Sequence, residues 1–144
     1  LPTEQHLDNT LRHVARILRP GGAVYLADFT LLKSAWSIHF FSHMNAAHQP
    51  ALFTQDYEYS LQAAFPRDVL QACARRHLPA DVTVHTTFGI PILCLIKTPD
   101  RSLAAPVQEK VHVLAQQLLP RYRADLDEIR LFFKWGGVGN DPFA

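Results

Sequence analysis

The sequence predicts an α/β fold in which a small sheet packs against helices. Amphipathic helical patterns recur along the chain, an apolar run follows a glycine turn near its start, and two strand patterns flank Phe88-Gly89. The 144 residues correspond to about one domain, and a hydrophobic fraction of 48% is enough to form a core. The sequence therefore favours one small domain with helical and sheet layers.

The start of the chain predicts a helix, a glycine turn and a strand. Apolar residues recur at helical spacing from Thr3 onward, and Pro20-Gly21-Gly22 ends this pattern. The run from Ala23 to Ala27 is almost wholly apolar, which is typical of a strand covered on both faces, and Asp28 follows it. Residues 29–65 hold many aromatic side chains without a sustained period, which indicates short helices and loops.

An antiparallel hairpin is predicted in the middle of the chain, after a helix over residues 66–78. Residues 82–87 alternate β-branched and polar side chains, Phe88-Gly89 forms a turn, and residues 92–96 are continuously apolar. Because a continuous apolar run is typical of a strand with neighbours on both sides, we expect the second strand to be central and buried.

The end of the chain predicts a helical extension. Helical patterns cover residues 105–119 and continue from about Arg121, and Pro120 separates the two. These patterns predict helices and no strand in the last third of the chain.

Composition and charge exclude several classes of function. Fourteen basic and thirteen acidic residues leave a net charge of +1, so binding of nucleic acid through bulk charge is not implied. The longest apolar run, Ile90 to Ile96, is too short to span a membrane, which predicts a soluble, cytoplasmic protein. Cys73 and Cys94 lie inside regular patterns, and we interpret them as reduced core residues.

The string from Leu11 to Gly22, followed by an apolar strand that ends in Asp28, resembles the C-terminal half of class I S-adenosylmethionine-dependent methyltransferases. In that family the corresponding segment is a helix followed by the fifth strand of a Rossmann-like sheet. Leu1-Pro2-Thr3 is similar to the end of the loop that follows the fourth strand.

The hairpin region carries a second part of the resemblance. Residues from Thr87 to Lys97 are similar to the close of ubiquinone/menaquinone-type (methyltransferase type 11-like) enzymes. In those enzymes the final two strands form an antiparallel hairpin, and the last strand lies beside the fifth. The resemblance covers residues 1–98 and implies a partial Rossmann-like methyltransferase sheet there. Residues 99–144 are then a helical C-terminal extension of that domain.

This resemblance implies part of a methyltransferase that transfers a methyl group from S-adenosylmethionine to a small molecule. The glycine-rich cofactor loop and the acidic residue that binds ribose belong to the N-terminal half of such folds. Gly21-Gly22 and the glycines from Gly136 to Gly139 do not follow a strand and open a helix, so no cofactor-binding residue is expected in this chain. We expect the chain to be inactive alone, with an open strand edge covered by a second copy or by a complementing N-terminal half.

Five residues are candidates for contact with the methyl acceptor. Asp28 lies at the carboxyl end of the first strand and can orient the acceptor or cap the following turn. His39 and His43 have the i, i+4 spacing of a general base or a metal pair, but no carboxylate accompanies them in a His-Glu-x-x-His motif, so no metal is expected. Tyr57 and Phe88 are candidate walls of an apolar pocket or ordinary core residues. The other aromatic candidates for these walls are Trp36, Phe40 and Phe41.

Two alternatives stay open at the level of sequence. The chain can be a noncatalytic, methyltransferase-like module that dimerises through its helical tail. It can also be one chain of a methyltransferase whose cofactor half is a separate polypeptide. The sequence upstream of Leu1 distinguishes the enzyme from the module, since a glycine-rich strand-turn-helix there supports catalysis.

Overall fold

A computed structural model describes residues 2–141 of the chain. Leu1, which belongs to the string compared with the loop after the fourth strand, and residues 142–144 of the predicted extension lie outside the described residues. The described part contains six α-helices, one 3-10 turn and three strands. In chain order they are α1 (Glu4–Ile17), β1 (Tyr25–Phe29), α2 (Ala35–His43), the 3-10 turn (Ala46–His48), α3 (Ala51–Ala63), α4 (Arg67–His77), β2 (Thr83–Thr86), β3 (Leu93–Lys97), α5 (Ala105–Gln117) and α6 (Pro120–Trp135).

The first helix begins and ends close to its predicted bounds. Thr3 is the N-cap residue, and its backbone N–H donates a hydrogen bond to Nδ1 of His6, 3.2 Å away. This contact satisfies a donor that the helix itself leaves unpaired. Gly21 then turns the chain with a φ of 68°, a value that glycine adopts without steric cost.

The three strands form one antiparallel sheet in the order β1-β3-β2. β3 pairs antiparallel with both neighbours, so β1 and β2 run parallel to each other on either side of it. Gly89, with a φ of 75°, lies in the connection between β2 and β3. The prediction of an antiparallel hairpin with a central, buried second strand is confirmed, because Cys94, Leu95 and Ile96 are all buried.

The main core lies between one face of the sheet and the helices α1 and α4. Leu26, Cys94 and Ile96 point to this face, where they meet Leu11 of α1 and Leu70 of α4. The cysteines are free and buried in this core, as predicted.

The prediction that the first strand is covered on both faces is wrong. The strand runs from Tyr25 to Phe29, two residues later than predicted, and Asp28 lies inside it. Tyr25 is 70% exposed and Ala27 is also exposed, because α1 and α4 pack only on the opposite face, that of Leu26. Within residues 2–141, β3 is the only strand that pairs with β1. An isolated parallel bridge between Thr30 and Phe65 follows β1 at its carboxyl end, and the edge along Tyr25–Phe29 that faces away from β3 is otherwise open.

The aromatic segment after β1 folds into a helical hairpin. The expected short helices are present, but α3 is a regular helix of 13 residues. Leu32, Ile38 and Leu61 form a second, smaller core between α2 and α3. Phe29 and Ile92 pack against this core and connect it to the sheet.

The C-terminal helices contact the rest of the fold through the end of α6. The backbone N–H of Phe88 donates to the carbonyl of Phe132, 3.1 Å away, and Gly136 caps α6 beside the carbonyl of Thr86. No residue of α5 or α6 is buried. No helix in residues 2–141 combines the length and the apolar character that a membrane crossing requires.

An ion-pair cluster joins α1 to α4. The Asp8 carboxylate lies 2.5 Å from a guanidinium nitrogen of Arg76 and 2.9 Å from Nε2 of His77. The contact with His77 has the largest effect on the pKa of Asp8. Together with the charges of His77 and Arg76 it outweighs desolvation, the second largest effect, and holds this pKa below its ordinary value of 3.8. A carboxyl group whose pKa is lowered by folding stabilises the native state only while it is ionised.

We expect Asp8→Asn to lower the free energy of unfolding at about pH 6, and the difference from the parent chain to shrink as the pH falls below 3.8 and through the folded-state pKa. Urea denaturation of both chains at about pH 6 and about pH 3 measures this change. Asp125→Asn, on the exposed surface of α6, is the matched control. If Asp8→Asn lowered the free energy of unfolding by the same amount at both pH values, an ionic role for Asp8 would be contradicted.

Candidate functional site

The carboxyl ends of β1 and β2 lie at the same edge of the sheet. Asp28 of β1 and Thr86 of β2 both have Cys94 of β3 as their register partner, so they lie at the same level on two parallel strands. This is the edge at which α/β sheets commonly bind ligands. Three groups of side chains are placed there or in the segment that follows β1.

Asp28 is the first of these groups. Its side chain is exposed, and Oδ1 accepts a hydrogen bond from the backbone N–H of Phe29, 2.7 Å away. Asp28 also borders a small, largely apolar cavity of about 150 Å³ between α1, β1 and α4. Burial, with a smaller contribution from the Asp28 charge, raises the pKa of the Cys94 thiol to about 11, which favours the protonated thiol over the nucleophilic thiolate at neutral pH.

A second group lines a cavity of about 380 Å³ between the β2-β3 turn and the end of α6. Phe88 and Trp135 meet edge to face there, with their ring centroids 6.1 Å apart. Lys33 and Arg67 add two cationic groups to the lining. Aromatic walls combined with cationic groups favour a flat or anionic small molecule.

The third group is a cluster of His39, His43 and Glu58 on the α2–α3 hairpin. The two imidazole rings lie 3.9 Å apart between centroids, one helical turn from each other. Nδ1 of His39 lies 3.7 Å from one Glu58 oxygen, and Nε2 of His43 lies 3.9 Å from the other. Sequence analysis identified both histidines but missed Glu58, because nothing in the sequence indicates which residues of α3 face α2.

The predicted aromatic wall is not a single surface. Tyr57 packs 5.3 Å from Phe29 in the smaller core, and burial raises the pKa of its phenol. Trp36 stacks on Phe40, with a centroid distance of 5.4 Å, and both side chains are exposed. Phe88 lies apart from these rings, against Trp135.

Sequence reasoning missed three lining residues of the 380 Å³ cavity, namely Lys33, Arg67 and Trp135. The two cations are isolated in loop and helix-start positions, and Trp135 lies 47 residues after Phe88. In the structure Trp135 is the last residue of α6.

Comparison with known proteins adds no family to this geometry. No protein-family model, no curated protein and no solved structure matches the chain. The fold defines the class of the molecule as an α/β protein with six helices and a three-stranded antiparallel sheet in its described residues.

Proposed function

We propose that this chain is the C-terminal part of an S-adenosylmethionine-dependent methyltransferase that acts on a small molecule. The observation that carries the proposal is the strand order. β3 runs antiparallel between two parallel strands, and it is the last strand in the described residues. The resemblance to ubiquinone/menaquinone-type enzymes implies the same arrangement, with β1 in the position of the fifth strand of a Rossmann-like sheet.

The open edge of β1 supports the proposal that residues outside this chain supply the cofactor-binding half of the sheet. A further strand can add to that edge through backbone hydrogen bonds, and the sheet then extends toward the half that holds the cofactor in Rossmann-like folds. No glycine-rich turn between a strand and a helix occurs in residues 2–141. In the proposal, S-adenosylmethionine is therefore bound by residues outside this chain.

The carboxyl edge of the sheet supplies the acceptor side of the proposed site. Methyl transfer is an in-line displacement, so the main task of the protein is to align the acceptor atom with the methyl group. Asp28 is exposed at this edge and can orient an acceptor hydroxyl or amine. The cavity of Phe88 and Trp135, with Lys33 and Arg67, is the proposed place for the body of the acceptor.

Two measurements on the native protein test the proposal. One is its intact mass, and the other is calorimetric titration with S-adenosylhomocysteine, the demethylated product. We expect a mass well above 16.3 kDa and saturable binding of one product per polypeptide, while the 144-residue chain alone does not bind. The absence of binding to the native protein would contradict the proposal.

The second candidate is a noncatalytic interaction module that dimerises through α5 and α6. One observation favours it, since both helices lack buried residues and expose large apolar side chains. These exposed side chains include Leu114, Tyr122, Ile129 and Leu131. A native mass near 16.3 kDa, dimerisation in solution and no binding of S-adenosylhomocysteine would favour this module over the enzyme.

A further inference from the structure

We propose that His39, His43 and Glu58 bind a divalent transition-metal ion of the zinc class. The three side chains converge from α2 and α3, and their ligand atoms all lie within 4.8 Å of one another. Two imidazole nitrogens and one carboxylate form a recurrent ligand set for such ions. The inference does not depend on the proposed methyltransferase function.

The distances are close to those that a bound ion requires. Ligands about 2.1 Å from a tetrahedral zinc ion lie roughly 3.4 Å from one another. Nδ1 of His39 lies 3.7 Å from one Glu58 oxygen, Nε2 of His43 lies 3.9 Å from the other, and one ligand atom of each residue lies within 4.8 Å of the others. Side-chain rotations of about 1 Å therefore have to bring the ligands together around an ion. The i, i+4 spacing places both imidazoles on one face of α2, and Glu58 approaches that face from α3.

A backbone contact orients the His43 ring for metal binding. Nδ1 of His43 lies 3.0 Å from the carbonyl oxygen of His39. When Nδ1–H donates to this carbonyl, Nε2 keeps a lone pair that can bind a metal, and it lies 3.9 Å from a Glu58 oxygen. Such a hydrogen bond on the second ring nitrogen is the usual support of a metal-binding histidine.

Buried contacts hold together the two helices that carry the ligands. Leu61 and Ser42 are fully buried between them. The side-chain amide of Gln49 donates to the carbonyl of Ser42 in α2, 3.4 Å away, and to Oγ1 of Thr54 in α3, 2.8 Å away. The ligands therefore project from a packed surface and not from a loop, which limits the conformational entropy lost on binding.

The cluster is open to solvent on its outer side. The side chains of His39, His43 and Glu58 are 64%, 37% and 27% exposed, so water has access to the remaining coordination positions. Nitrogen ligands favour zinc, cobalt and nickel over magnesium and calcium, which prefer ligand sets made of oxygen alone. We therefore expect selectivity for transition metals.

The experiment titrates Zn²⁺ and, separately, Co²⁺ into the full 144-residue chain without a polyhistidine tag. Calorimetry measures the affinity and stoichiometry for Zn²⁺, and visible absorption of Co²⁺ reports nitrogen coordination. We expect one ion per chain, and no saturable binding of Mg²⁺ under the same conditions.

Two variants assign the site, and a third serves as a control. Glu58→Gln keeps the shape of the side chain and removes its charge, and His43→Ala removes a ligand. Each is expected to weaken Zn²⁺ binding by roughly tenfold or more. His48→Ala, an exposed histidine on the neighbouring 3-10 turn, leaves the affinity unchanged.

Thermal unfolding followed by circular dichroism confirms that each variant is folded before it is titrated. Saturable binding that disappears in Glu58→Gln and persists in His48→Ala supports the site. No saturable binding of Zn²⁺ by the parent chain, or binding of equal strength in Glu58→Gln and the parent, overturns it.

Discussion

Replacement of Leu11 by Ala is expected to lower the free energy of unfolding by about 3 kcal/mol, within the range of roughly 2–5 kcal/mol that buried leucines show. Leu11 is 1% exposed and lies at the centre of the main core, between α1, α4 and the sheet. The truncation removes buried methyl groups and leaves a cavity that elements on three sides cannot easily close. Urea denaturation followed by circular dichroism measures the loss.

The matched control for this prediction lies on the same helix. Ile17 is 81% exposed near the end of α1, so Ile17→Ala removes little buried surface. Alanine also has the higher helix propensity, and we expect a change within about 0.5 kcal/mol. If the two variants unfolded at the same urea concentration, Leu11 would not occupy the core that the structure assigns to it.

Gly136→Ala is expected to displace the end of α6 from the β2-β3 hairpin. A Cβ atom at Gly136 would lie 2.0 Å from the carbonyl oxygen of Thr86, a backbone atom that cannot rotate away. The two segments therefore have to separate by more than about 1 Å, and such overpacking costs about 1–3 kcal/mol. The separation also removes the Phe88–Trp135 ring contact and widens the 380 Å³ cavity between the β2-β3 turn and α6.

Tryptophan fluorescence measures this displacement in a Trp36→Phe background, where Trp135 is the only tryptophan left. Trp135 is 56% exposed, and Phe88 covers part of the rest of its indole ring. We therefore expect a small red shift of the emission for Gly136→Ala, because this ring loses Phe88 and gains further contact with water. Gly139→Ala is the control, since a Cβ atom there meets nothing within 4 Å. An unchanged emission spectrum and an unchanged unfolding midpoint in Gly136→Ala would show that α6 does not depend on this close approach.

Local patterns predicted most of the helices and all three strands. The stripe through Leu11 and the proline at position 120 place helix bounds within a few residues of those observed. The apolar run around Cys94 identifies the central strand, since such a strand is buried by neighbours on both sides. These features follow from spacing along one segment, which the sequence contains directly.

Long-range placement was predicted less well. The apolar run at residues 23–27 indicated a strand covered on both faces, but Tyr25 is exposed because the smaller core covers that face of β1 only at Phe29. The helix α3 was missed as a continuous element because only Thr54 and Leu61 are buried in it, which leaves a weak apolar stripe. Coverage and burial depend on how segments meet, and a single sequence does not give that arrangement.

In the candidate site, too, local features were predicted and long-range contacts were not. The spacing of His39 and His43 predicted that their rings would lie together, and they do. Glu58 joins them from a different helix, fifteen residues after His43, at a position that α2–α3 packing determines. Lys33, Arg67 and Trp135 likewise meet only through the tertiary fold.

Pairing of β3 with β1 costs more chain entropy than pairing of β3 with β2. Thr86 pairs with Cys94 across 8 residues, whereas Phe29 pairs with Leu93 across 64 residues. Each doubling of a closed loop costs about 0.6 kcal/mol, so the β1 side costs roughly 2 kcal/mol more to close. The β2-β3 hairpin can therefore form early and locally, while β1 docks only when α1 and α4 bury their shared core against it.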